Sequence, residues 1–348
     1  MDVTIEYLYA LVTAVICIVL VSYYAFFKGD ARAQPKLIPP LASGGWPLIG
    51  HLHLLGSSNQ PPYITLGDLS DKYGPIFTLQ VGVHNAIVVS TWELAKEIFT
   101  THDVIISSRP KFTAAKILGH DYANFGFSPY GDYWQMMRKV TASELLSTRR
   151  FETLRDIRDS EVKKSLMELC KSGFDKLGDL KVEMKRFLGD MNLNVIMRMI
   201  AGKRYSSGES GDEREVRKVR WVFREFFRLT GLFVVGDAIP FLGWLDLGGH
   251  VKEMIKAARE MDSVVCGWLE DHRHKNDIGE TKMEQDFIDV LLSVLHGVHL
   301  DGYDVDTVIK ATCLVRSISI TNSMFSSLCF FILFFTITMI QSGEKEKL

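Results

Sequence analysis

The feature that most constrains this chain is an uncharged run of twenty residues near its N-terminus, residues 8–27. A helix of this length crosses a hydrocarbon core of about 30 Å. Asp2 and Glu6 precede the run, whereas Lys28 and Arg32 follow it. Because positive flanks stay cytosolic, the pattern predicts a lumenal tip and transmembrane anchor over residues 1–27, with the body in the cytosol. The alternative is a cleaved signal peptide, which would have a basic leader and a shorter apolar stretch.

The next segment, residues 28–50, is rich in proline and glycine. Pro35, Pro39 and Pro40 are followed by the run from Gly44 to Gly50. Proline fixes φ and discourages helix, both at its own position and at the residue before it. The composition therefore predicts a stiff, extended hinge that sets the angle of the body against the membrane.

Residues 51–314 have the patterning of a mainly α body with a small β-sheet. Residues 76–90 alternate between apolar and polar side chains, which predicts a β-hairpin with its turn at His84 and Asn85. Elsewhere apolar residues recur at helical spacing, and Gly, Ser, Asp or Pro separate the segments. The predicted helices are 64–73, 93–101, 131–146, 150–171, 183–201, 212–229, 249–275 and 283–297.

Several function classes are excluded by what the sequence lacks. It contains no G-x-G-x-x-G after a strand, no P-loop, no H-E-x-x-H and no complete nucleophile elbow. The net charge of -2 gives no electrostatic reason to expect nucleic acid. No Cys/His group has zinc spacing, so no metal ligands are predicted. The five cysteines are scattered, which favours a reduced compartment and buried thiols.

Six short runs occur in order along the chain: GWPLIG at 45–50, KYGPIF at 72–77, SRP at 108–110, FSPYGDYWQMMRK at 127–139, DAIPFLGWLDLGG at 237–249 and DVDTVIKATC at 304–313. In this order they resemble a plant microsomal cytochrome P450, and the last two runs resemble its eighty-second family. The resemblance covers residues 1 to about 314. It implies an incomplete cytochrome P450 fold, with an N-terminal transmembrane helix and without the C-terminal haem-binding half.

The resemblance implies a role for Trp134 and Arg138. In the family, this helix passes beside the haem, and a Trp and an Arg four residues apart donate to a haem propionate. A spacing of four places both side chains on one helix face, and an indole N–H and a guanidinium both donate to carboxylates. The alternative is a half-buried Trp beside a solvated Arg. Arg109, in the run SRP, is a candidate for a secondary role of the same kind.

Two further regions correspond to parts of the family's substrate pocket. One is the loop from Lys111 to Phe127, whose candidate lining residues are Phe112, Ile117, Leu118, Tyr122, Phe125 and Phe127. The other is the roof of the pocket, with candidates Phe223, Phe226, Phe227, Leu232 and Phe233. For both sets, ordinary packing onto a core is the alternative interpretation.

The sequence departs from the family at the residues that carry its chemistry. The family's haem-ligand Cys stands in F-x-x-G-x-R-x-C-x-G, and none of the five cysteines has this context. No Asp or Glu occurs between Thr307 and Gly343, so the acid-Thr pair associated with proton delivery is missing. E-x-x-R occurs four times, at 152–155, 183–186, 225–228 and 270–273, but never downstream of the long helix, where the family has it. We therefore predict no catalytic residues in this chain.

Residues 315–348 form a divergent apolar tail. Within it, residues 324–340 carry no charge and are marginally long enough to span a bilayer. The segment is alternatively a buried helix, or the translation of retained non-coding sequence. Lys345 and Lys347 follow it.

These observations give an expected function in two parts. The family is a haem-thiolate monooxygenase that takes electrons from NADPH-cytochrome P450 reductase and oxidises lipophilic plant metabolites. The chain itself is predicted to be a truncated, inactive member in the endoplasmic reticulum membrane, in contact with lipid and without stably bound haem. The alternative is a non-catalytic anchored fragment with a regulatory or partner-pairing role.

Overall fold

A computed structural model describes residues 39–56, 60–144, 147–174, 182–205, 213–279 and 285–314, together with positions 13, 14 and 17. The chain divides into two compact units, Met1–Leu94 and Ala95–Leu348. Among the described residues, no helix is both long and apolar enough to cross a membrane. Apart from positions 13, 14 and 17, the predicted anchor lies outside the described residues, and the whole tail from 315 lies outside them.

The first unit is built on a hairpin. Helices α1 (Leu52–Gly56) and α2 (Pro62–Tyr73) precede strands β1 (Ile76–Val81) and β2 (His84–Val89), which pair antiparallel. The hairpin prediction is confirmed, but the turn is not at His84 and Asn85. Val81 pairs with His84, so the turn is Gly82-Val83, and Gly82 takes a φ of 61° that suits glycine.

The end of the proline-rich segment lies along β1. Thr78 donates its backbone N–H to Pro40 at 2.8 Å, and its carbonyl accepts from Ala42 at 3.0 Å. His51 is buried and donates from Nε2 to the Ala42 carbonyl at 2.9 Å, while its Nδ1 accepts from the Gln80 N–H at 3.0 Å. A Cβ at Gly50 would lie 2.2 Å from the Gln80 carbonyl oxygen, so this close approach requires glycine.

Helices make up most of the remaining chain. In order they are α3 (Trp92–Thr101), α4 (Asp103–Ile106), α5 (Thr113–Leu118), α6 (Asp132–Glu144), α7 (Thr148–Thr153), α8 (Arg155–Phe174), α9 (Met184–Ala201), α10 (Glu213–Thr230), α11 (Val235–Ala238), a 3-10 helix (Pro240–Leu245), α12 (His250–Asp277), α13 (Phe287–Val294) and α14 (residues 305–314). The predicted mainly α body is confirmed.

The helix predicted over 150–171 is the one that differs most. It is two helices, α7 and α8, which meet at Leu154, where the ψ of 10° departs from the α-helical value. Leu154 is fully buried in a small cluster with Val195 and Met199 of α9. The break in a segment whose periodicity predicts one continuous helix thus coincides with a leucine that is buried against α9.

The main core of the second unit lies where α9, α10, α12 and α13 meet. Helix α10 shows why the sequence folds this way: it buries Val216, Val219, Val222, Phe223, Phe226 and Leu229, which recur at helical spacing. Burying each such side chain contributes roughly 1.5–3 kcal/mol. At the centre, the Trp268 indole N–H donates to the Tyr205 hydroxyl at 2.7 Å.

Candidate functional site

Helix α6 presents the two residues singled out by the sequence. Asp132 lies in its first turn, where a carboxylate interacts favourably with the helix dipole. Tyr133, Met137 and Thr141 are spaced by four and are buried. Trp134 and Arg138 each follow a buried residue by one position, so they lie together on the adjacent face. Trp134 is half-buried and Arg138 is exposed.

Trp134 and Arg138 are in direct contact. The guanidinium carbon of Arg138 lies 5.1 Å from the centre of the Trp134 ring, within the range of a cation–π interaction. Tyr130 packs on Trp134 with ring centres 5.4 Å apart, and Gln135 donates to the Tyr130 hydroxyl at 3.1 Å. The indole thus contacts both an aromatic ring and a cation.

Around this pair is an open cavity of about 440 Å³. Lys139 contributes a second cation, and Asp103 and Ser107, at the two ends of α4, form part of the wall. The full lining is Asp103, Ser107, Tyr130, Trp134, Gln135, Arg138, Lys139 and Ala142. Arg109 is exposed and is not part of this lining.

The donors of this cavity suit a carboxylate. An indole N–H, a guanidinium and an ammonium supply donors and two positive charges, and only Asp103 opposes them. The residues therefore fit the propionate end of a haem. Cys313 does not suit the iron end, because it is fully buried in the main core, and this burial raises the pKa of its thiol and disfavours the thiolate.

The loop after α4 is part of the core rather than an open wall. Phe112, Ile117, Phe125 and Phe127 pack against the main core, and Leu118 is buried within it. Tyr122 is half-buried in a turn where it and its two predecessors have positive φ. The packing interpretation thus accounts for five of the six candidates in this loop.

The phenylalanines of α10 point in different directions. Phe226 stacks on Phe127, with ring centres 6.4 Å apart. Phe223 and Phe227 instead line a second cavity, between α9 and α10. Leu232 packs against the core, whereas Phe233 is 53% exposed.

Two of the four E-x-x-R matches form an ion pair between their own Glu and Arg, and in the other two the Arg pairs with a different residue. Glu152 and Arg155 approach to 3.9 Å with both side chains largely exposed, and Glu225 lies 2.7 Å from Arg228. Arg186 instead lies 4.0 Å from Asp190, and Arg273 pairs with Asp306.

One buried polar cluster was missed by sequence reasoning. His272 of α12 lies 2.7 Å from Asp286, which caps α13, and Nδ1 of the same ring donates to the Trp268 carbonyl at 2.6 Å. Asp289 completes the capping box with Asp286, and the three side chains lie within 4.8 Å of one another. The D-x-x-D spacing before an apolar run was a readable cap signal, but nothing local pointed to the histidine fourteen residues earlier.

The mainly α fold with one small sheet agrees with a family comparison. The profile of the family described as Cytochrome P450 matches residues 39–332, which is more than half of the chain. The chain therefore belongs to the cytochrome P450 family, as the short runs in the sequence predicted.

Among its relatives are plant enzymes. The chain is 47% identical to strychnine-10-hydroxylase of Strychnos nux-vomica over 90% of this chain and 61% of that protein. It is 48% identical to flavonoid-6-hydroxylase of Mentha piperita, over 87% and 59% respectively. Cytochrome P450 82A1 of Pisum sativum is 43% identical, over 87% and 60%. The chain thus spans about three fifths of the length of these relatives.

A solved structure supports the fold alone. A zebra fish cytochrome P450 in a structure with progesterone aligns with a TM-score of 0.59 at 20% identity. The alignment covers 79% of this chain and 61% of that one.

Proposed function

We propose that this chain is a member of a plant family of haem-thiolate monooxygenases. We also propose that the chain does not itself form a thiolate-ligated haem. The oxidation of lipophilic secondary metabolites is supported by the names of two relatives, strychnine-10-hydroxylase and flavonoid-6-hydroxylase. The family's cofactor is haem, which when bound would supply oxygen activation. The family's redox partner would be NADPH-cytochrome P450 reductase.

Trp134 and Arg138 are the residues that we assign to a haem propionate. Both side chains line one cavity, and Lys139 adds positive charge there. Their task would be to bind and orient the cofactor, and neither would move a proton in the reaction. We assign no catalytic residue and no metal ligand to this chain.

The proposal that no thiolate-ligated haem forms is supported by the sequence contexts of the five cysteines. None stands in F-x-x-G-x-R-x-C-x-G. Cys313 is fully buried in the main core, where its thiol is held protonated. An axial thiolate supplies the electron density that cleaves the O–O bond, so this chemistry requires a cysteine that the sequence does not provide.

The test is a reduced carbon monoxide difference spectrum of membranes that contain the full chain. We expect no thiolate-haem Soret band, with the protein confirmed by immunoblot. Strychnine-10-hydroxylase, expressed in parallel, is the positive control. A band of the thiolate type from this chain would overturn the proposal, and Cys→Ser variants would then identify the ligand.

We also propose that the chain resides at the endoplasmic reticulum membrane, with lipid as a partner. The uncharged run at 8–27 supports this location. Exposed apolar side chains around the 3-10 helix offer a second contact with lipid: Phe241 is 53% exposed, Trp244 80% and Leu247 54%. Microscopy of the tagged chain with a reticulum marker tests the location, and a diffuse cytosolic signal would contradict it.

A pairing role is the second candidate. It is favoured by apolar side chains exposed on α3 and α4, where Phe99 is 70% exposed and Ile105 81%. A surface of this kind marks a protein contact. Co-purification with a tagged full-length relative should fall on Phe99→Ser and Ile105→Ser, and should not change with Met167→Ser, which alters an exposed apolar residue of α8. Equal recovery of all variants would exclude this surface.

A further inference from the structure

Helices α9 and α10 enclose a groove that the proposed function does not use. Its volume is about 670 Å³, which lies within the usual range for small-molecule sites. The groove lies within the second unit and combines apolar side chains with several cations. It therefore has the two kinds of surface that an amphiphilic molecule requires.

The apolar part consists of three side chains from the two helices. Leu193 of α9 and Phe223 of α10 are buried, and Phe227, one turn further along α10, is half-buried. Because these residues still line open space, they present apolar surface to whatever occupies the groove. Excluding water from such surface favours an apolar ligand.

The polar part carries more positive than negative charge. Lys185, Arg186, Arg220 and Arg224 line the groove, against Glu183 and Asp190. Asp190 is already engaged, with Arg220 at 3.2 Å and Arg186 at 4.0 Å. Among the described residues, Lys185 and Arg224 have no ion-pair or hydrogen-bond partner, so two cations remain for an anion.

Gly189 is a second, independent observation about the groove, because the lack of a side chain at this position leaves part of the groove open. It lies inside α9, where glycine is a poor helix former, and it lines the groove. A Cβ at this position would meet no heavy atom within 4 Å. Neither a turn nor a close backbone contact requires glycine here, whereas a longer side chain would occupy the groove.

We propose that this groove binds an amphiphilic anion, an apolar chain with a carboxylate or phosphate head. The head would lie against Arg224 and Lys185, since guanidinium groups match carboxylate and phosphate oxygens. The chain would lie over Phe227, Phe223 and Leu193. An inorganic anion lacks the apolar contact, and a neutral alcohol of the same length lacks the charge, so both bind more weakly.

Binding is measured with the full chain in phosphatidylcholine nanodiscs, using a dansyl-labelled undecanoic acid and empty nanodiscs as the reference. Dodecanoate, dodecyl phosphate, dodecanol and inorganic phosphate then compete. We expect saturable binding that one of the two amphiphilic anions displaces at least about tenfold better than dodecanol. The stronger of the two identifies the head group. Equal competition by dodecanol, or no binding above empty nanodiscs, would overturn the proposal.

Two variants with matched controls locate the site. Gly189→Leu places a side chain in the groove from a position where its Cβ meets no heavy atom within 4 Å, and it should weaken binding at least about tenfold without lowering thermal stability. Gly267→Leu on α12, also open to its surroundings, is its control. Arg224→Gln should weaken the anions but not dodecanol, whereas Arg259→Gln, an exposed residue of α12, should change neither. Unchanged binding by a stably folded Gly189→Leu would place the ligand elsewhere and refute the assignment.

Discussion

At the scale of single residues, Glu161 of α8 is a fully buried carboxylate with two arginine partners. It is fully buried and pairs with Arg198 at 3.0 Å and with Arg204, which also reaches Glu168 at 2.9 Å. These bonds raise the pKa of the Arg204 guanidinium despite its partial burial. The carboxylate therefore links α8 to α9 and to the segment that follows α9.

Replacing Glu161 with Ala should lower the free energy of unfolding by about 3–5 kcal/mol, because Arg204 would be left buried without its main partner. Glu152→Ala removes an exposed pair and should cost about 0–1 kcal/mol. Chemical denaturation of both variants in nanodiscs measures the difference. If both substitutions lowered the free energy of unfolding equally, the buried pairing of Glu161 with Arg204 would contribute no more than an exposed ion pair.

The groove carboxylate Asp190 gives a pH dependence. Burial raises its pKa, although Arg220 and Arg186 act in the opposite direction. Because the folded state holds this proton more tightly, the carboxyl stabilises the fold at low pH. That contribution is lost as the pH rises from the unfolded to the folded pKa.

We therefore expect the stability of Asp190→Asn, relative to the natural chain, to rise as the pH increases through this window. The measurement is urea unfolding at several pH values from about 4 to 7. Asp156→Asn, an exposed residue of α8, serves as the control. A relative stability that falls with pH would show that the pairing with Arg220 outweighs burial.

At the scale of elements, the start of α13 depends on a side chain from another helix. Asp286 accepts from the Asp289 N–H at 3.2 Å and from His272 Nε2 at 2.7 Å, so one carboxylate both caps α13 and joins it to α12. Asp304 caps α14 through the Thr307 N–H at 2.9 Å, but it is exposed. The two caps therefore differ in burial and in the bond that Asp286 makes to His272.

Asp286→Ala should cost about 2–4 kcal/mol, because it removes a cap and leaves His272 buried without its acceptor. Asp304→Ala should cost about 1 kcal/mol, the usual value for an exposed cap. Thermal unfolding of both variants provides the comparison. Equal losses would mean that the bond to His272 contributes nothing beyond the cap.

The same contrast explains how far the sequence could predict the structure. The hairpin and most helices follow from local periodicity, and their ends lie within a few residues of the prediction. The break at Leu154 and the bond from His272 to Asp286 depend on partners far along the chain, and local patterning does not encode them. The proximity of Trp134 and Arg138 could be predicted from the sequence, because a spacing of four places both residues on one face of one helix. The groove between α9 and α10 could not be predicted, because it depends on how two helices pack and on the absence of a side chain at Gly189.

At the scale of the whole molecule, the chain aligns with 61% of the length of strychnine-10-hydroxylase. Within that alignment, 47% of the residues are identical. Its second unit has a dense core, yet it leaves large apolar side chains exposed on α3 and α4. The proposed lack of a haem thiolate rests on the sequence contexts of the cysteines, whereas the helix that carries Trp134 and Arg138 is packed into the core of the second unit.

A chimera with a relative tests whether the chain lacks only its C-terminal part. Residues 1–314 joined to the corresponding C-terminal part of strychnine-10-hydroxylase should bind haem and give the thiolate-type carbon monoxide band. Arg138→Gln in this chimera should weaken haem retention about tenfold or more, since a charge-assisted hydrogen bond to a propionate is lost. Arg149→Gln changes an exposed residue of α7 outside the cavity and should retain haem normally. A chimera with the band but no dependence on Arg138 would separate the fold from the assigned site, and the propionate would then have other donors.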